Sequence, residues 1–253
     1  MSNIGAYLYG FTTQAFQPSP DLRGLAGAPV RAIAFRDVAA IVSRHPVKPI
    51  MPSRTNVEPH HRVVRHVSGE ATLVPAAFGH IGDTEAAIVD VVRSNYDAIR
   101  DEIARLDGKC EMGVTLSWRV DNIYGFLVDS HRELRDARDR VFGRRQPSFN
   151  DKLQVGGLFE KTLVRERERL TKVLLAAFSP IALETVSRPA RHERTICQAA
   201  LLIERARQSE FPELLRAAAA RFDVNFALEY NGPWPPYSFV RLRLQPPTRT
   251  SAA

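Results

Sequence analysis

From Cys110 to Val120 the sequence alternates without a break: Cys110, Met112, Val114, Leu116, Trp118 and Val120 are set against Glu111, Gly113, Thr115, Ser117 and Arg119. A period of two puts the first set on one face of a β-strand and the second on the other, which a helix cannot do. The chain must therefore contain a sheet covered on its apolar face. The residues after Val120 supply the cover. Asp121 is placed to cap a helix through Ile123, Leu127, Leu134, Ala137 and Val141, ended by Gly143 and the loop around Pro147, and a second helix is expected over 151–178. Strands are expected at 181–187 and 194–203, a helix from Phe211 to Phe222, and a last strand through Val224, Phe226, Leu228 and Tyr230. Strand, helices, strand, strand, helix, strand is the order of a ferredoxin-like (split βαβ) sandwich, an antiparallel sheet with helices on one face.

The part before this strand reads as a smaller α+β unit. Residues 5–11 form an aromatic-rich strand with Tyr7, Tyr9 and Phe11, and 31–35 and 38–43 form a hairpin turning at Arg36-Asp37. Between Asn56, read as a cap, and Ser68, the positions Val57, His60, Val64 and Val67 share one helical face. A short strand is expected at 73–75. One long helix is expected over 84–107, with Thr84 as cap, Ile88, Val92, Tyr96, Ile99, Ile103 and Leu106 as its stripe, and Gly108 as its stop. The fold class is thus α+β in two domains, 1–108 and 109–245, with 246–253 as a disordered tail; 253 residues suit two cores.

With 44% hydrophobic and 25% charged residues the chain buries enough apolar surface to fold, and no uncharged run reaches bilayer-spanning length. The opening lacks a basic leader and cleavage site, so the expected address is the cytoplasm. Cys110 and Cys197, each in an apolar strand-like stretch, read as small hydrophobes. The formal charge of +7 lies wholly in the second part: 11 basic and 11 acidic residues in 1–108, 24 and 17 in 109–253. Much of the excess falls in 131–172, where signs alternate, as in Arg165-Glu166-Arg167-Glu168-Arg169; that is the pattern of a solvated helix face.

Chemistry finds little purchase. Neither GxxxxGK[ST] nor GxGxxG occurs, and Gly156-Gly157, read as opening a helix, stands alone as a phosphate-binding signal. His60, His61 and His66 lack the i,i+4 spacing that puts two imidazoles on one metal and read as solvated or capping side chains; His80, after Phe78-Gly79, reads as structural. No Gly-x-Ser-x-Gly elbow is present, and Glu111 on the outer strand face is expected to pair with an Arg or Lys. No catalytic, cofactor or metal site is expected, and the chain is not read as an enzyme. A basic ferredoxin-like domain is also the scaffold of RNA-binding modules, which stack bases on strand aromatics. The strand at 194–203, Arg-Thr-Ile-Cys-Gln-Ala-Ala-Leu-Leu-Ile, has none, so nucleic acid is the alternative reading rather than the first.

The most distinctive stretch is Asn231-Gly232-Pro233-Trp234-Pro235-Pro236-Tyr237-Ser238-Phe239-Val240. Three prolines in four positions make a stiff connection whose large side chains need a pocket. Two readings stand: a rigid plug of the fold, or a pre-ordered aromatic anchor for a partner, with Trp234, Tyr237 and Phe239 as contacts and Arg241 and Arg243, on an edge strand with Val240, Leu242 and Leu244, as the charged rim.

Four blocks in order, Tyr7-Leu8-Tyr9-Gly10, Leu73-Val74-Pro75-Ala76-Ala77-Phe78-Gly79, Glu111-Met112-Gly113-Val114 and Gly232 to Val240, resemble the gas vesicle accessory proteins F and L (GvpF/GvpL). The resemblance spans nearly the whole chain and is most specific in the closing block; Ala77 stands where an Arg is expected. It implies a non-enzymatic assembly protein of the gas vesicle, two α+β domains, no cofactor, and an address in the cytoplasm on the vesicle. The implied partners are the small hydrophobic major shell protein and other accessory proteins of the same assembly, with no nucleic acid and no membrane span. Shell protein exposes apolar surface before it assembles, so its partner should offer apolar or aromatic area with a charged rim.

Overall fold

A computed structural model describes residues 3–143, 148–190 and 192–246. The fold is α+β, with two antiparallel sheets and helices. These residues divide into two compact units: 3–111, 204–206 and 233–246 make the first, and 112–203 with 207–232 the second.

The first unit is built on β1 (Ile4–Thr13), β2 (Val30–Phe35), β3 (Val38–Pro46), α1 (Arg54–Glu70), the short β4 (Val74–Pro75) and β5 (Ile81–Gly82), α2 (Glu85–Ser94) and α3 (Tyr96–Leu106). The sheet runs β2-β3-β1-β4, with β5 also on β1. β1 is covered from Gly5 to Thr12, because its alternating Tyr7 and Tyr9 face a core of Leu25, Ile41, Val63, Val64, Val67 and Leu73. The β2–β3 hairpin has register Phe35↔Val38, so Arg36 and Asp37 alone make the turn, and Arg36 takes a left-handed φ of 54°. Gly10 is required where it sits: a Cβ there would lie 2.5 Å from the Val74 carbonyl oxygen.

Two sequence expectations change here. α1 starts ahead of Asn56, with Ser53 before its first residue, while the Asn56 amide bonds the Met51 carbonyl instead. The stripe read as one helix over 84–107 is two helices, α2 and α3, parted at Asn95. The buried Asn95 amide donates to the Val91 carbonyl at 2.7 Å and exchanges two hydrogen bonds with the Gln245 backbone, so its local bonds compete with continuation of the helix. Thr84 caps α2 as expected, accepting from Ala87 N at 3.0 Å.

The second sheet carries β6 (Lys109–Trp118), β7 (Ala182–Arg188), β8 (Thr195–Glu204) and β9 (Phe226–Trp234) in the order β7-β8-β6-β9. That is the strand order of the expected ferredoxin-like sandwich. The alternation along β6 is borne out, with Cys110, Met112, Val114, Leu116 and Trp118 buried. Between β6 and β7 lie α4 (Ile123–Ser130), α5 (Arg132–Phe142) and α6 (Phe149–Ala176), and α7 (Phe211–Ala219) precedes β9. The helix expected from Asp121 to Val141 is capped by Asn122, whose side chain accepts from Tyr124 N and Gly125 N, and is broken at His131 into α4 and α5. The loop around Pro147 lies outside the described residues. α6 opens on a Ser148/Asp151 capping box, so Gly156 and Gly157 lie inside it rather than at its start. Arg167 of α6 stacks 5.6 Å over Trp118 and donates to the carbonyls of Glu193 and Thr195, tying the β7–β8 connection to the helix.

The closing segment packs with the first unit, where sequence order had placed it in the second domain. Nor does an edge strand follow Val240: residues 240–246 make no ladder and are held instead by α3. The Arg241 amide donates to Glu102, Arg105 donates to the Phe239 carbonyl, and Gln245 bonds Asn95. The tail beyond Pro246 is outside the described residues.

Candidate partner-binding surface

The closing loop meets the first unit through a polar relay. Tyr7 Oη lies 2.9 Å from His60 Nδ1, and His60 Nε2 lies 3.1 Å from Tyr237 Oη; the Gly79 amide donates to Tyr7 at 3.0 Å. The Tyr9 ring stacks on His60 at 5.6 Å, and Tyr9 Oη accepts from the Leu25 amide and pairs with Ser43. His60 is 1% exposed, so burial pushes its pKa down to about 4, and burial pushes the Tyr7 hydroxyl up to about 12 and Tyr237 up as well. The periodicity that put His60 on the apolar face of α1 was right about its direction; the reading of it as solvated or capping was not, since two tyrosines satisfy both ring nitrogens.

Glu111 also differs from expectation. It is buried and accepts from the Ser238 amide and hydroxyl, both at 2.8 Å, so a turn of the closing loop replaces the expected cation.

Of the residues singled out for partner binding, Phe239 is 3% exposed and Tyr237 is engaged by His60, which commits both to the interior of the first unit. Trp234 is half-buried with Arg65 stacked 4.8 Å over its ring. Arg241 and Arg243 are exposed. The structure thus brings Trp234 and Tyr237 together along α1, beside an open cleft of about 850 Å³ lined by Arg54, His61, Arg62, Arg65 and His66, but does not gather the five residues into one exposed surface.

A stripe of exposed apolar residues along one helix lies elsewhere, in the second unit. In α6 only Thr162, Leu170 and Leu174 are buried. Phe149 is 80% exposed, Leu153 62% and Val164 47%. Steps of four, three and one, three and four place Phe149, Leu153, Gly156, Gly157, Glu160 and Val164 on one side of the helix. At both glycines a Cβ would meet nothing within 4 Å, so the middle of this stripe is bare backbone. Tyr124, itself half exposed, stacks on Phe159 at 4.5 Å beside it, and Lys152 and Lys161 supply a charged rim on either side, with Glu160 inside the stripe. Sequence reading missed this face because the 3.6-residue period marks an apolar stripe without saying whether anything covers it. The signal present was the second apolar stripe of α6, on the side away from Thr162.

A family model for the gas vesicle synthesis protein GvpL/GvpF matches residues 5–241. The chain belongs to the GvpL/GvpF family. It is 26% identical to gas vesicle protein F of Dolichospermum flosaquae over 95% of this chain and 99% of that one, and 22% identical to gas vesicle protein L of a Streptomyces species over 92% of each. The crystal structure of GvpF from Anabaena sp. PCC7120 superposes with a TM-score of 0.83 at 25% identity, covering 96% of this chain and all of that one. GvpF from Microcystis aeruginosa superposes at 0.77 with 23% identity. Residues from each of the four blocks meet in the first unit: Tyr7 bonds Gly79, Gly10 pairs with Pro75, Tyr7 reaches Tyr237 through His60, and Glu111 holds Ser238. Ala77, where the resemblance led to the expectation of an Arg, is exposed and offers only its carbonyl, to His80.

Membership carries a role in gas vesicle assembly. Among the described residues no helix is long and apolar enough to cross a membrane, and no group of three His, Cys, Asp or Glu side chains is placed to hold a metal ion.

Proposed function

We propose that this chain is a non-enzymatic assembly protein, working in the cytoplasm at the growing gas vesicle, that holds the small hydrophobic shell protein against the exposed face of α6. The observation that carries the reading is the exposure of Phe149, Leu153 and Val164 on one helix side. A folded chain keeps such a stripe uncovered at a cost in solubility, and a partner with apolar surface to hide is what it fits. The glycine pair lets a second helix approach closely, and the charged rim stays hydrated around an apolar contact. Trp234, on the rim of the α1 cleft, is the accessible remnant of the aromatic anchor.

The nucleic-acid reading loses its support on the sheet. The face of β6 opposite the covered one carries Gly113, Thr115 and Ser117, which give a base nothing to stack on.

Capture of purified shell protein by the full chain at low and at high salt tests the proposal, with Phe149→Glu/Leu153→Glu and Trp234→Ala as variants. Capture that persists at high salt and is lost in the α6 double variant is expected, because apolar burial is insensitive to ionic strength. Undiminished capture by the α6 variant, or loss only with Trp234→Ala, moves the site to the closing loop. Salt-sensitive capture of an RNA pool with no shell protein overturns the reading altogether.

A further inference from the structure

The arginines of the first unit are mostly paired: Arg31 with Glu85, Arg93 with Asp90, Arg100 with Asp97 and Asp101, Arg105 with Glu102. Arg36 and Arg243 have no ion pair among the described residues, and both line one depression of about 280 Å³ together with Arg93, Phe35 and Tyr96. The Arg36 guanidinium lies 4.8 Å from the Tyr96 ring and 5.4 Å from that of Phe35, and Arg93 lies 5.6 Å from Phe35. A guanidinium backed by a ring keeps its N–H edge outward and loses part of its hydration, which favours two-pronged recognition of a planar anion. Arg36 is held in place by the two-residue turn at a φ of 54°, a conformation non-glycine residues rarely take. One acid, Asp97, also lines the depression and is paired with Arg100 at 3.4 Å, and Asp37 accepts from the Tyr96 hydroxyl.

We propose that this arginine–aromatic depression binds the carboxylates of an acidic segment of a partner protein. A polyanion such as nucleic acid is disfavoured because the described residues of the first unit, Arg241 and Arg243 included, carry 15 basic and 13 acidic side chains, a net of only +2, so no wide positive field surrounds the arginines. The volume admits one or two acidic side chains, and the two unpaired guanidinium forks of Arg36 and Arg243, with Arg93 already held by Asp90, suit a Glu or Asp carboxylate. The site is on the first unit and does not depend on the reading of α6.

Fluorescence anisotropy with a labelled hexaglutamate peptide tests it on the full chain. Arg36→Ala/Arg243→Ala is expected to weaken binding about tenfold or more, since two charge-assisted contacts are removed. Arg119→Ala/Arg221→Ala, which removes the same charge from exposed positions in the second unit, is expected to leave it within about twofold. Arg36→Lys keeps the charge without the fork and is expected to fall nearer the double variant than the wild type. Equal weakening by both double variants, no saturable binding of the peptide, or tighter binding of an RNA oligonucleotide through the same arginines each overturns the proposal.

Discussion

His60 shows how one side chain joins segments far apart in sequence. It bridges Tyr7 on β1 and Tyr237 in the closing loop while stacking on Tyr9. Its native pKa of about 4 lies below the 6.5 of the unfolded chain, so between those values the unfolded state binds more protons and stability falls as pH drops from 6.5 toward 4. The loss is on the order of 2–3 kcal/mol from this group, and denaturant melts at pH 7 and pH 5 check it. In His60→Phe this dependence should shrink, while stability at pH 7 falls by about 1–3 kcal/mol because two buried hydroxyls lose a partner. Unchanged pH dependence in the variant would show that His60 is not the titrating group. Gly10 is a second single-residue constraint: Gly10→Ala drives a methyl against the Val74 carbonyl and should cost about 1–3 kcal/mol, read from the same melts. The Tyr7-Leu8-Tyr9-Gly10 block is thereby explained as tyrosines that reach polar partners and a glycine that lets β4 approach.

At the scale of elements, pattern told most where a face was covered evenly. β6 was legible because every second residue is buried, and α1 because His60 and the valines lie on one side. The breaks at Asn95 and His131 were not, since the apolar stripes continue through them and only tertiary bonds, such as those from Asn95 to Gln245, decide the point of interruption. Asn95→Ala should therefore free the closing segment, at about 1–2 kcal/mol, with faster amide exchange at Gln245 as the readout. α6 offers a sharper separation of stability from function. Gly156→Ala/Gly157→Ala adds helix propensity of about 1 kcal/mol per site with open space for each methyl, so the melting temperature should rise. If a partner packs on bare backbone there, the same variant should bind shell protein less well. A variant that is more stable and binds equally would mean that the glycines serve no close approach.

Over the whole molecule, the strand order of the second sheet was readable because its elements succeed one another along the chain, whereas the return of 233–246 to the first unit was not. Nothing local marks which sheet a terminal segment rejoins; Glu111, Glu102 and Asn95 do so only once folded. The same blindness applies to exposed surface. Aromatic, proline-rich composition drew attention to the closing loop, whose Phe239 and Tyr237 serve the first unit, and away from α6, whose exposure depends on what its neighbours leave uncovered. Charge over 131–172, by contrast, was read correctly as a solvated helix face, with ion pairs on it between Arg132 and Asp136, Arg138 and Asp139, Arg165 and Glu133, and Arg169 and Glu166. Such exposed pairs contribute little each, so moderate salt should leave both stability and shell-protein capture nearly unchanged. Amide hydrogen exchange of the full chain with and without shell protein probes the α6 docking face without any substitution. Slowed exchange over 149–164, where the helix is uncovered in the free chain, is expected, with 233–243 unaffected. Protection at 233–243 and along α1, with 149–164 unchanged, would place the shell protein on the closing loop and refute docking on α6.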